Sequence, residues 1–166
     1  FIRALQSQRI AATAKHFPGL GASRANTDDH RVTLRTVRLG PFRAAIAAGV
    51  ELVMVSNAVY PRLDPSRVPA VFSHRIVGDL LRGTLGFRGV VVTDALDAPA
   101  PARMPHAPAR ALAAGVDLLL YTSGSSAHAG FLQLTQDVRT SPALEPDVAR
   151  AVANIRALKG WLGRSC

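Results

Sequence analysis

At 166 residues, with 48% hydrophobic and 19% charged residues, the chain is long enough for one domain with a sizeable core and too apolar to be a disordered polymer. Its longest apolar run, Gly115–Tyr121, is strand-sized and carries Asp117, far short of the roughly 18 residues of a membrane span. The formal charge of +9 comes almost entirely from arginines scattered singly among alanines, with no basic cluster interleaved with aromatics, so no nucleic-acid partner is expected.

The chain opens on Phe1, not an initiator methionine, and shows no basic-then-apolar leader, so an upstream segment is expected. Cys166 stands alone and terminal, which gives no disulfide framework. No histidine or cysteine spacing suits a metal, and Gly19 and Gly21 do not form a nucleotide fingerprint. No cofactor is expected, and the compartment stays open between bacterial cytoplasm and cell envelope or secretion.

In chain order, short apolar runs ending in polar residues alternate with helical stretches. The first run is Ile10–Ala14, ending at Lys15 and His16. Pro41 opens a helical stretch through Ala48 that Gly49 closes. Val50–Ser56 is the second run and ends at Asn57. Ser73 can cap the next helix, where Ile76, Val77, Leu80 and Leu81 share a face and Gly86 is the stop. Val90–Thr93 is the third run and ends at Asp94. A shorter helix from Pro108 to Ala114 ends at Gly115, and Val116–Tyr121 is the fourth run. Val148, Val152, Ile155 and Leu162 form a stripe on a last helix, beside which Trp161 reads as core. His74, His106 and His128 have no partner pattern and read as surface residues.

Near-continuously apolar strands alternating with helices imply a parallel α/β sheet covered by helices. Two architectures fit: an open doubly wound sheet, or part of a (β/α)8 barrel, which needs about 250 residues to close. Either one puts function beyond the C-terminal strand ends, where Lys15, His16, Asn57 and Asp94 fall.

The segment Lys15-His16-Phe17-Pro18-Gly19-Leu20-Gly21 resembles the KHFPGHG signature of the β-N-acetylhexosaminidases of glycoside hydrolase family three. Matches continue in the family's order through Val53–Asn57, Tyr60–Asp64, Leu80–Arg82, Leu85–Leu96 and Ala114–Asp117. The resemblance implies a (β/α)8 TIM-barrel type fold, with the whole chain as the C-terminal half of the catalytic domain, about the last four βα units. It also implies a retaining glycosidase that releases β-linked N-acetylglucosamine, for instance from muropeptides, and that takes a carbohydrate as its partner.

By the same resemblance Asp94 is the nucleophile, a role that demands a carboxylate able to form a glycosyl-enzyme intermediate. Asp28-Asp29-His30 offers the family's Asp-x-His spacing, with His30 as general acid/base and Asp28 orienting its ring. Lys15 and His16 match residues that bond sugar hydroxyls. The sequence departs from the pattern in the loop, where His30 lies about two residues further from Gly21 and the usual Gly-Asp-Thr start is absent. It departs in two further places: Leu20 replaces the second histidine of the signature, and Asn57 stands where a histidine often follows the methionine strand. The resemblance leaves other readings open: a β-glucosidase-like or phosphorylase-like member, or an inactive remnant that binds sugar or protein. A half barrel would also leave unpaired strand edges that need the N-terminal half as cover.

Overall fold

The computed structural model describes residues 1–163, so the terminal Cys166 lies outside them. Three strands, β1 (Thr13–Phe17), β2 (Leu52–Val55) and β3 (Val90–Thr93), form a parallel sheet in the order β1-β2-β3. Five α-helices accompany them: α1 (Ile2–Ser7), α2 (Gly40–Ala47), α3 (Ala107–Ala114), α4 (Gly124–Thr140) and α5 (Glu145–Trp161). The stretch Arg75–Thr84 between β2 and β3 is a π-helix, wound with the wider i→i+5 spacing that the Leu85 N–H to Leu80 carbonyl bond of 2.9 Å continues.

Local chemistry fixes the ends of these elements. Pro41 sits in the first turn of α2, and Gly49 beyond it takes φ +78°, a left-handed conformation that other residues adopt at a cost. Gly115 closes α3 with φ +112°, and a Cβ there would lie 3.2 Å from Val77 Cγ1, so glycine also lets α3 approach the π-helix. Ser73 Oγ accepts the Ile76 N–H at 3.2 Å, the capping bond expected of it.

The strand runs differ from their sequence boundaries in two places. β1 continues through Lys15 and His16 to Phe17, because a strand with one open edge can pair while carrying polar side chains. Its pairing with β2 slips between Ala14 and Phe17, and the peptide bonds before His16 and Pro18 are both cis. The fourth run, Val116–Tyr121, forms no regular strand. It lies parallel beside β3 through a single bridge, Val92 to Leu118. Its ladder is interrupted because the Leu120 N–H bonds the Thr93 hydroxyl at 2.9 Å rather than a main-chain carbonyl. The Asp117 and Leu118 amides, meanwhile, both donate to the Val91 carbonyl.

One core lies between the sheet and its helices. Val53, Val55, Val91 and Val116 pack with Ile76, Val77, Leu81 and Ala111, and Phe17 meets Phe42 edge-on at 5.1 Å. Each such large side chain stabilises the fold by about 1.5–3 kcal/mol through removal from water. The opposite sheet face carries Leu52 and Met54, half-buried, with Leu118 and Leu120 at 42% and 39% exposure. A doubly wound sheet would be helix-covered on both faces, so one helical layer over a parallel sheet marks this fold as part of a TIM-type barrel.

The helix stripes need correction. In α5 the buried position is Ala151, while Val152 is 39% exposed. Trp161 is half-buried at the end of α5 and not a core residue, with the Arg9 guanidinium 5.6 Å from its ring centre. His106 is not a free surface histidine: its Nδ1 lies 2.7 Å from Asp137 Oδ1.

Candidate active site

Asp94 follows β3 directly and is 6% exposed. Its N–H donates to the Val55 carbonyl at 2.9 Å, which fastens the end of β3 to β2. Both carboxylate oxygens are held. The Ala95 N–H donates to Oδ1 at 3.0 Å, and the Thr27 hydroxyl donates to Oδ2 at 3.3 Å. These donors satisfy a buried anion that would otherwise be costly to desolvate.

Thr27 is the sole buried residue of the 21–31 loop segment, at 3% exposure, so the loop is anchored on Asp94. Nothing in the sequence signalled this residue, because a single threonine in a polar loop has no pattern. Around it Asn26 organises a tight turn: its carbonyl accepts the N–H groups of Asp29 and His30, and its Oδ1 accepts the Asp28 N–H at 3.1 Å.

The expected site residues divide into two groups. His16 is half-buried and feels the charges of Asp94, Lys15 and Asp28. Burial lowers its pKa below the ordinary 6.5 and the Lys15 charge adds to this, while the two carboxylates oppose it, so the net direction is down. His16 thus stands within Coulombic reach of both Asp94 and Asp28. Lys15 is exposed and lines a cavity of about 660 Å3 between β1, Gly19–Ala22 and the start of α2. Asp28 and His30 are both exposed on the loop, and among the described residues no hydrogen bond or ion pair joins His30 to Asp28 or to Asp94. His30 instead borders a separate cavity of about 380 Å3.

Asn57, at the end of the second run, is 1% exposed. Its Nδ2 donates to the Ala95 carbonyl at 2.7 Å, so Ala95 is gripped at its carbonyl by Asn57 while its N–H grips Asp94. Asn57 Oδ1 is buried without a hydrogen-bond partner among the described residues. Tyr60 is fully buried and donates its hydroxyl to the Gly19 carbonyl at 3.1 Å. Burial pushes the phenol up to about 12; a Ser56 hydrogen bond acts the other way, and the Asp94 charge adds to the rise. Tyr60 is thus a neutral donor that ties the second loop to the first.

Other acids in the matched motifs serve the frame. Asp64 accepts the Ser73 hydroxyl at 2.6 Å and the Ser66 N–H at 2.9 Å. Burial raises its pKa, but the Ser73 and Ser66 bonds and the Arg75 charge outweigh this and leave it below its ordinary 3.8. Asp97 accepts from the Thr122 hydroxyl at 2.7 Å and joins the loop after β3 to the end of the fourth run. Among the described residues no group of three His, Cys, Asp or Glu side chains could hold a metal, and no helix is long and apolar enough to cross a membrane.

Parallel strands under one helical layer, with a doubly hydrogen-bonded carboxylate beyond the C-terminal strand ends, define a partial TIM-type α/β domain with a carboxylate-centred site. The chain belongs to glycosyl hydrolase family 3: the family's N-terminal domain matches residues 1–158. A β-hexosaminidase of Stenotrophomonas maltophilia strain K279a is 42% identical over 130 residues, covering 72% of this chain and 38% of that protein. A β-N-acetylglucosaminidase/β-glucosidase of Cellulomonas fimi is 33% identical over 98% of this chain and 32% of its own length. The solved family 3 β-N-acetylglucosaminidase of Paenibacillus sp. str. FPU-7 superposes with a TM-score of 0.90 at 32% identity, over 98% of this chain and 33% of that one. The chain thus spans between about a third and two fifths of the length of these relatives.

Proposed function

We propose that this chain supplies the nucleophile side of a retaining glycosidase that releases β-linked N-acetylglucosamine, as the last four βα units of the catalytic barrel. The observation that carries the reading is Asp94, buried at a strand end with one oxygen held by a main-chain N–H and the other by a hydroxyl. The names of the hexosaminidase and glucosaminidase relatives support the substrate class.

In the first step an Asp94 oxygen attacks the anomeric carbon as the bond to the leaving oxygen breaks, and His30 gives that oxygen its proton. In the second, water attacks the anomeric carbon, His30 takes the water's proton, and the Asp94 ester bond breaks to restore the carboxylate. Because the Thr27 bond at 3.3 Å is longer than the Ala95 bond at 3.0 Å, Oδ2 is the oxygen more readily released to attack. The exposed loop must carry His30 toward the strand ends as substrate binds, with Asp28 orienting the imidazolium. His16, kept neutral by burial, and Lys15 would bond sugar hydroxyls. The N-terminal half of the barrel would complete the sugar pocket.

The test is hydrolysis of 4-nitrophenyl N-acetyl-β-glucosaminide by the longest form of the protein its gene encodes, against its Asp94→Asn variant. Loss of about a thousandfold or more in kcat is expected, because nucleophile removal eliminates the covalent route. Equal rates in the two forms, or no turnover by either, would sink the reading. The Cellulomonas fimi relative carries both activities in its name, so the matching glucoside run in parallel decides between the two sugars.

A further inference from the structure

The main chain from Asp94 to Leu96 is pinned at three points, and one of the three pins is a side chain. The Asp94 N–H donates to the Val55 carbonyl at 2.9 Å, and the Leu96 N–H donates to the Leu120 carbonyl at 2.9 Å. Between them the Ala95 carbonyl accepts Asn57 Nδ2 at 2.7 Å. The planar peptide joining Ala95 to Leu96 is therefore held at both its oxygen and its N–H. The peptide before it, from Asp94 to Ala95, carries the N–H that donates to Asp94 Oδ1 at 3.0 Å. Because that peptide spans two held neighbours, they fix the aim of its N–H. Asn57 is itself firmly placed, at 1% exposure just beyond β2. The Ser56 N–H before it donates to the Phe17 carbonyl at 2.8 Å, and the Ala58 N–H after it to Ser56 Oγ at 2.9 Å. Its amide can face Ala95 in one sense only, since a flipped amide would set oxygen against oxygen.

We infer that Asn57 is a positioning residue for the nucleophile. By fixing the peptide after Ala95 it keeps Asp94 Oδ1 bonded to the Ala95 N–H and leaves Oδ2 to attack. The inference rests on the proposed role of Asp94 and adds to it the residue that chooses the attacking oxygen. Asn57 acts through the main chain: its side-chain hydrogen bond goes to the Ala95 carbonyl and not to the carboxylate. A carboxylate free to turn about its Cβ–Cγ bond presents its oxygens in many directions. One whose first oxygen is held by a fixed N–H presents the second in a single direction. Such orientation raises the rate of the chemical step and adds nothing to sugar binding.

The test measures kcat and KM on 4-nitrophenyl N-acetyl-β-glucosaminide for the longest form of the protein its gene encodes, and for Asn57→Leu and Asn57→Asp. Circular dichroism checks that each is folded. Asn57→Leu removes the donor at similar volume, so kcat should fall about tenfold with KM within about twofold of the parent. Asn57→Asp keeps a donor only while the new carboxyl is protonated, a form that burial against a carbonyl oxygen favours. Its kcat should stay near the parent's on the acid side, then fall about tenfold as pH rises through an ionisation that the parent's profile lacks. This near-isosteric variant also decides the matter should Asn57→Leu fail to fold. A change confined to KM, or an Asn57→Asp profile parallel to the parent's, overturns the inference. A second arm needs no turnover: amide exchange at Ala95, followed by NMR, should rise about fivefold in Asn57→Leu while that at Val53 in β2 holds. An unchanged Ala95 rate overturns the positioning role and leaves Asp94 to its own variant. No turnover by the parent sinks the glycosidase reading and leaves the exchange arm to judge the grip of Asn57, so the two fail separately.

Discussion

Asp117 offers the sharpest test of what holds the irregular fourth run to the sheet. Its side chain is completely buried, and it accepts from three donors on different elements: Arg82 Nη2 at 2.5 Å, the Val91 N–H at 2.9 Å and Asn154 Nδ2 at 3.0 Å. Arg150 Nε lies 3.6 Å away. Asp117→Ala removes the counter-charge from a guanidinium that is only 15% exposed and leaves a buried main-chain N–H unpaired. Removing one partner of a buried pair costs about 3–5 kcal/mol. Arg82 keeps two carbonyl acceptors, Gly115 at 3.0 Å and Gly89 at 3.3 Å, so the lower end, about 3 kcal/mol, is expected. Asp117→Asn keeps an oxygen acceptor and the shape while losing the charge, and should cost about half as much.

Urea unfolding followed by circular dichroism reads this directly. With a slope of about 2 kcal/mol per molar, the alanine variant should unfold at a urea concentration lower by about 1.5 M, with the slope unchanged. Amide exchange at Val91 should rise with it. A midpoint shift below about 0.3 M, or an asparagine variant as damaged as the alanine one, would refute the reasoning. The first outcome would mean that packing alone holds the run in place, and the second that the charge is the whole effect.

The other predictions concern the frame and the site. Gly89→Ala would drive a Cβ into the Glu51 carbonyl oxygen, and since backbone cannot swing aside, a loss of about 2–3 kcal/mol is expected in thermal unfolding. Because burial holds the His16 pKa below 6.5, the unfolded chain takes up its proton first as pH falls. The stability from neutral His16 is therefore complete above about 6.5 and lost as pH falls through the folded value. An NMR titration of His16 with a midpoint at or above 6.5 would contradict it. Thr27→Val removes the hydroxyl bonded to Asp94 and should raise amide exchange across residues 23–31 about fivefold, while Thr27→Ser holds it near the parent value.

Much of the frame was legible because strand runs here are short and apolar. Val90–Thr93 matches its run end to end, and α2 and α3 begin one residue before their prolines and stop two and one residues before their glycines. Polarity alone misplaced the end of β1, because Lys15 and His16 read as a stop while the backbone goes on pairing. The fourth run read as a strand because its side chains are apolar, but side chains break its ladder: the Thr93 hydroxyl takes the Leu120 amide and the Asp117 carboxylate takes the Val91 amide. Helix α4 escaped notice because Phe131 and Leu132 are 64% and 54% exposed, so its apolar residues trace no single buried stripe. Ser123 does carry a start signal, accepting the Ser126 N–H at 3.1 Å.

The site shows a sharper division between what a strand end and a loop can encode. A strand fixes its last residues in space, so position led to Lys15, His16, Asn57 and Asp94; the last three are at least half-buried there, while Lys15 is exposed. Asp28 and His30 were placed by spacing in a motif, and spacing fixes separation along the chain without fixing direction. The structure leaves the two unbonded to each other and anchors their loop through Thr27, a residue outside the motif, on the carboxylate that attacks in the proposed reaction. In the proposed reaction Oδ2 of Asp94 turns toward the sugar carbon, and the 3.3 Å bond it gives up is that of Thr27, the loop's one buried anchor. Release of Thr27 as substrate binds would free the acid/base loop before attack, and loosening Thr27 in the resting protein would uncouple loop movement from substrate binding.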